Sequence, residues 1–278
     1  MSNSYLNIVT FLFTTLFYYL AIKPTLTYDV LVDPLKYKQY MSNSYMFLAI
    51  YLLLVIVIQF LVNSSIISST CGGNITENMG AAGIFTFLPW VFIFGVLMVV
   101  LIIYPGFKSA FADVVGYFWV SSSANTLLTE LLINPEIQSK IDGSIETPEK
   151  KIALQSAADT ILKICGNTSI LINQMVPSNF NSYWDLLTPL MKKDNSTNID
   201  MKNKLFELVV TRDTIGESMW YIYTGLLITS IVQLKIATRG CASNPKTMEQ
   251  NYHKFLDSEK QAKQKSSLAT SSTYTITN

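Results

Sequence analysis

Charge is scarce in this sequence: 14% of its 278 residues are Asp, Glu, Lys or Arg, while 50% are hydrophobic. Soluble globular domains carry about 25% charged residues, so the deficit favours a membrane protein. Histidine is nearly absent. His253 is the only one; it stands in a lysine-bearing tail, where it reads as a surface residue, and with three cysteines it supplies no standard zinc pattern. HExxH, GxxxxGK and GxGxxG are all missing, which removes the common apparatus of metalloproteases, P-loop enzymes and dinucleotide enzymes. The chain is therefore expected to be no enzyme and to need no cofactor or metal. A net charge of +1 gives no electrostatic footprint for nucleic acid.

What is present is apolar sequence gathered into blocks. A helix rises about 1.5 Å per residue, so crossing a hydrocarbon core of about 30 Å takes roughly 20 apolar residues. Four segments are expected to span: Tyr5 to Ile22, Tyr45 to Val62, Ile84 to Tyr104, and Ser218 to Leu234. The first has no basic residue before it and no small-residue cleavage pattern after it, so it reads as a retained span rather than a secretory signal. Tyr18, Tyr19, Tyr45, Tyr104, Trp220 and Tyr221 fall near the segment ends, as in an aromatic belt. The expected fold is all-α, an integral membrane protein with about four transmembrane helices and the lipid bilayer as its solvent. Residues 1–104 would carry three spans with short loops, 105–217 an extramembrane helical domain, 218–236 the fourth span, and 237–278 a basic polar tail with a disordered end.

Within the long connection, Pro105-Gly106 is the expected stop of the third span. From Lys108 onward, Phe111, Val114, Val115, Phe118 and Trp119 recur at helical intervals, predicting a helix that lies in the membrane interface or caps the domain core. Helices are also predicted over 109–133, 182–191 and 201–210. Another begins at Thr147-Pro148-Glu149, an N-cap followed by proline at the first helical position. Arg212-Asp213 and Gly216-Glu217 precede the fourth span and read as an interfacial ion pair beside a helix N-terminus. Gln59 and Gln233, the strongly polar amides in or near apolar runs, suit interhelical hydrogen bonding. Asn63, Asn74, Asn167 and Asn195 open N-x-Ser/Thr sequons.

The loop charges conflict over orientation. Lys23, Lys36 and Lys38 favour one topology, while Lys235, Arg239 and Lys246 favour the reverse, so sidedness stays unassigned. Parity still holds: two crossings separate Cys71 from Cys241, which puts them on one face, opposite Cys165. Free thiols and a Cys71–Cys241 bridge both remain open on the residues alone.

Three stretches, CGGNITENMGAAGIFTFLPWVFIFG, YPGFKSAFADVVGYFWVSSSANTLL and RDTIGESMWYIYTGLLITSIVQ with a cysteine beyond it, taken together resemble a family of multi-span membrane proteins of the nucleocytoplasmic large DNA viruses. The resemblance covers about Cys71 to Cys241. It implies a structural protein of the membrane beneath an icosahedral capsid, in the virion's inner membrane, partnered by capsid or other virion membrane proteins or by further copies of itself. The matching positions it singles out are Cys71, Cys241, Pro105, Gly106, Lys108, Gly116, Tyr117, Gly216, Glu217 and Trp220. Because such viruses often supply thiol oxidation machinery, the resemblance also favours the Cys71–Cys241 bridge. The alternative expectation is an oligomeric channel or transporter component, with Gln59 or Gln233 in its lining. A membrane-remodelling role would rest on the Lys108 to Trp119 segment.

Overall fold

The structure, a computed structural model, describes residues 5–71, 75–131, 167–188, 191, 198–238 and 245–270. Their regular elements are helices. Helix α1 (Leu6–Phe17) continues as a π-turn (Tyr18–Ile22). The short α2 (Tyr28–Val32) leads into α3 (Pro34–Cys71), and α4 (Ile75–Pro89) is joined through a π-turn (Trp90–Gly95) to α5 (Val96–Ile103). A 3-10 turn (Pro105–Lys108) opens a second stack: α6 (Ser109–Phe111), a π-turn (Ala112–Gly116) and α7 (Tyr117–Leu131). Then follow α8 (Thr168–Gln174), α9 (Phe180–Leu187), the 40-residue α10 (Ile199–Thr238) and α11 (Pro245–Thr270).

Among the described residues, three helical stretches are long and apolar enough to cross a membrane: Pro34–Cys71, Met79–Ile103 and Ile199–Thr238. This corrects the expected four spans. The first apolar segment, Leu6–Ile22, is shorter: its twelve α-helical residues and five-residue π-turn rise only about 25 Å. It nonetheless packs on α3 and α10 as the fourth member of a bundle.

The bundle's interior holds Phe11, Tyr18, Tyr51, Trp90, Phe94, Tyr221 and Ile228. Several polar side chains are buried with them, among them Asn7, Thr15, Gln59, Asn63 and Thr86. Large apolar residues face outward instead, including Phe13, Leu20, Leu53, Leu61, Phe92, Val96 and Leu234. Water would penalise that arrangement, because the hydrophobic effect drives apolar surface inward, whereas hydrocarbon leaves such side chains at rest and drives polar groups to one another. Asn7 Nδ2 donates to Asn63 Oδ1 at 2.7 Å, and Asn63 Nδ2 donates to Thr86 Oγ1 at 2.8 Å. Gln59 Nε2 donates to the Asn7 carbonyl and to Thr10 Oγ1 at 3.0 and 3.2 Å. Asn63 is thus spent on holding three helices together, despite opening a sequon.

A second core lies beyond the bundle. Ala124, Leu128 and Leu131 of α7, Leu171 and Ile172 of α8, Phe180 and Trp184 of α9, and Leu205, Phe206 and Val209 of α10 pack into one cluster. No break occurs at 217/218, where the extramembrane domain was expected to end, because α10 runs through both cores. The stack from Lys108 to Leu131 runs antiparallel to α10: Lys108 meets Glu217, Gly116 lies against Arg212, and Ala124 to Leu131 share a cluster with Leu205 to Val209. The Lys108 to Trp119 segment therefore stands along α10. Phe111 packs on Trp220 and Tyr223, while Val114, Phe118 and Trp119 face outward.

The tail, expected to be polar with a disordered end, forms helix Pro245–Thr270; its Lys, Glu, Gln and Ala content suits a helix. Residues 271–278 and the helix expected from Thr147 lie outside the described residues.

Candidate functional site

Where the two cores meet, α10 carries consecutive polar residues, and 100° of rotation per residue sends them to different partners. Asp213 and Glu217 are one turn apart and face α1 and the Pro105–Lys108 turn. Lys108 Nζ lies 3.1 Å from Asp213 Oδ2 and 2.8 Å from Glu217 Oε2, and Lys23 Nζ lies 2.7 Å from Glu217 Oε1. Tyr19 donates its hydroxyl to the same Oε1 at 3.2 Å, and Lys23 stands over the Tyr19 ring at 5.0 Å. Each of the four charged side chains is less than one-fifth exposed, so the pairs work in a medium that screens little. Burial opposes the charge on Lys108, yet the carboxylates of Glu217 and Asp213 outweigh it and hold the ammonium well above the ordinary lysine value.

Arg212 points into the second core, 1% exposed. Its Nη1 donates to the Ile172 carbonyl at 2.6 Å and its Nη2 to the Met175 carbonyl at 2.9 Å. Both carbonyls belong to the C-terminal end of α8, where backbone acceptors lack helical partners and a cation is favoured. Nη1 also reaches Asn173 Oδ1 at 3.2 Å and Asp113 Oδ1 at 3.5 Å, and Asn173 Nδ2 returns a bond to the Asp113 carbonyl at 3.2 Å. Burial raises the Asp113 pKa above the ordinary carboxylate value, and Arg212 offsets part of that rise. Arg212 is thus a C-terminal cap supplied from another helix, and not half of a pair with its neighbour Asp213.

Two glycines permit this contact. A Cβ on Gly116 would sit 2.6 Å from the Arg212 carbonyl oxygen, and one on Gly216 would sit 2.8 Å from the Lys108 carbonyl oxygen. Only hydrogen fits there. Trp220 closes the outer edge: its Nε1 donates to the Phe107 carbonyl at 2.8 Å and its ring packs edge-on to Phe111 at 5.0 Å.

Of the positions singled out in the sequence, Lys108, Gly116, Arg212, Asp213, Gly216, Glu217 and Trp220 gather at this junction. Pro105 stops α5 and opens the 3-10 turn, Gly106 has open space around its Cα, and Tyr117 is partly buried against the second core. Cys71 lies apart at the end of α3 and is disulfide-bonded; Cys165 and Cys241 lie outside the described residues, as do Asn74 and Asn195. Sequence reasoning missed Lys23, Tyr19, Asp113 and Asn173. Lys23 was counted as a loop charge, yet its ammonium is neutralised by Glu217, which weakens its vote on orientation. Among the described residues no group of His, Cys, Asp or Glu could hold a metal ion. No family model, curated protein or solved structure matches this chain.

Proposed function

We propose that the chain is a structural membrane protein that holds a helical layer in fixed register with the bilayer. One observation carries this reading: a single 40-residue helix belongs to both cores, and at the junction its charges are clamped to α1, to the 3-10 turn and to the end of α8. An unbroken helix transmits position without a hinge, and the buried clamp resists rotation of one layer on the other. The family resemblance of the three sequence stretches supports placing this role in the internal membrane of a large DNA virus, with the helical layer bound to capsid or other virion proteins. Of the two amides expected to line a pore, Gln59 and Gln233, Gln59 is spent on α1, which favours a scaffold over a channel.

Photo-crosslinkers placed at exposed positions of the helical layer, such as Phe118, Trp119 and Leu186, test the reading in intact particles. The expected result is a discrete adduct with another particle protein. Adducts with lipid alone, across all three positions, would overturn it.

A further inference from the structure

We propose that the space beside the clamp binds one zwitterionic phospholipid. A cavity of about 420 Å³ lies between α1, α3, the turn after α5, and α10, inside the size range of small-ligand sites. Helix packing creates it. Helix α3 lies closely against α4, touches the π-turn that follows, and draws away from α5, so α3 and α5 diverge toward the charged end. Tyr45 and Leu48 of α3 and Leu101 and Ile102 of α5 line the gap. Tyr45 and Ile102 are also exposed on the outer surface, next to the outward apolar residues that meet hydrocarbon. An amphiphile can therefore enter sideways from the bilayer.

The inner end of the cavity holds polar capacity that the clamp does not use. An ammonium group has three donors; Lys23 commits one, to Glu217, and Lys108 commits two, to Asp213 and Glu217. Among the described residues, Asp213 Oδ1 accepts no hydrogen bond and the hydroxyls of Tyr18 and Tyr221 make none, although all three residues line the cavity. Spare ammonium donors suit a phosphodiester oxygen. A free carboxylate oxygen and the aromatic rings of Tyr37 and Tyr40, residues that also line the space, suit a cationic amine.

Charge balance selects among headgroups. Lys23 and Lys108 are matched by Asp213 and Glu217, and Arg212 by Asp113. A ligand of net charge would bring an uncompensated charge into a poorly solvated site, whereas a zwitterion adds none. The acyl chains leave through the gap between Tyr45 and Ile102. This inference stands whether or not the protein belongs to a virion.

The full chain, reconstituted in nanodiscs of equal phosphatidylcholine, phosphatidylethanolamine and phosphatidylglycerol and then moved into detergent, is assayed by native mass spectrometry. One phosphatidylcholine or phosphatidylethanolamine should stay bound per chain, at least about tenfold over phosphatidylglycerol. A choline preference would point to the tyrosine rings and an ethanolamine preference to Asp213; both support the site. Met41→Trp, which fills the cavity from its wall, should cut retention at least about fivefold, while Leu53→Trp on the outward face of α3 should not. Equal or greater retention of phosphatidylglycerol, or unchanged retention in Met41→Trp, would overturn the proposal. Should Met41→Trp fail to fold, dihexanoylphosphatidylcholine titrated into the wild-type protein must give a saturable change in intrinsic fluorescence that the phosphatidylglycerol analogue does not; no saturation would overturn it equally.

Discussion

The helical layer and the membrane bundle share α10, yet the residues that α10 turns outward change in kind along its length. Before Glu217 it buries Leu205, Phe206 and Val209 and exposes Asp200 and Lys204. After Glu217 it buries Tyr221, Thr224, Ile228 and Thr229 and exposes Tyr223, Leu227, Ile231 and Leu234. The inward stripe continues across the junction while the outward face passes from mainly charged, Ile199 apart, to mainly apolar, ending at Lys235. On the proposed membrane reading one helix meets two solvents, with Asp213 and Glu217 at the change-over. The two regions are also held by different means. The layer has a dense apolar core and the buried cation of Arg212, while the bundle combines stacked aromatics, such as Tyr18 on Tyr51 at 4.3 Å, with hydrogen bonds among Asn7, Asn63, Thr86 and Gln59.

The comparison breaks most severely at Arg212. Arg212→Met leaves the Ile172 and Met175 carbonyls and Asp113 without their cation, at an expected cost of about 3–5 kcal/mol. Limited proteolysis in detergent should show the helical layer cleaved while the bundle stays protected. Arg212→Lys should rescue little, because a compact ammonium lacks the planar guanidinium fork whose Nη1 and Nη2 each reach one of the two carbonyls.

Lys108→Met should cost less, about 1–3 kcal/mol, since it removes charge-assisted bonds to Asp213 and Glu217 that are largely but not wholly buried. Its pH dependence sharpens the point. Lys108 has a folded pKa raised above its ordinary value of 10.5, so its contribution is complete below 10.5 and is lost only as pH rises through the folded value. The stability difference between wild type and Lys108→Met, read from thermal unfolding at pH 7, 8.5 and 10, should therefore stay constant. The smallest effect is expected inside the bundle: Asn63→Leu should cost about 0.5–1.5 kcal/mol, the usual scale for hydrogen bonds between membrane helices. Unfolding in mixed micelles measures it.

The later apolar runs were legible as spans and lie in the helices Pro34–Cys71, Met79–Ile103 and Ile199–Thr238, the first and last of which continue well beyond them, whereas the first apolar helix, Leu6–Ile22, ends with its run. The true lengths of α3 and α10 were not legible. Polar residues such as Lys36 and Lys38 near the start of α3, or Asp213 and Glu217 within α10, look like loop or boundary signals, yet the backbone stays helical through them. Arg212 and Asp213 read as partners because they adjoin in sequence, although adjacent positions on a helix face different ways. Lys23 offered one usable clue. It ends one apolar run as Glu217 begins another, so in antiparallel helices the two charges reach the same depth. The carbonyls of Ile172 and Met175 gave none, since backbone acceptors leave no mark in composition.

The central claim is that lipid solvates the outward face of α10 beyond Glu217 and water solvates it before. Nitroxide labels at 200, 204, 223, 227, 231 and 234 in reconstituted protein test this directly, by comparing the accessibility of each to oxygen, which partitions into bilayers, and to a water-soluble nickel chelate. Positions 223 to 234 should favour oxygen and positions 200 and 204 the chelate, with the crossing near Glu217. Chelate accessibility at 223, 227, 231 and 234 equal to that at 200 and 204 would contradict the account.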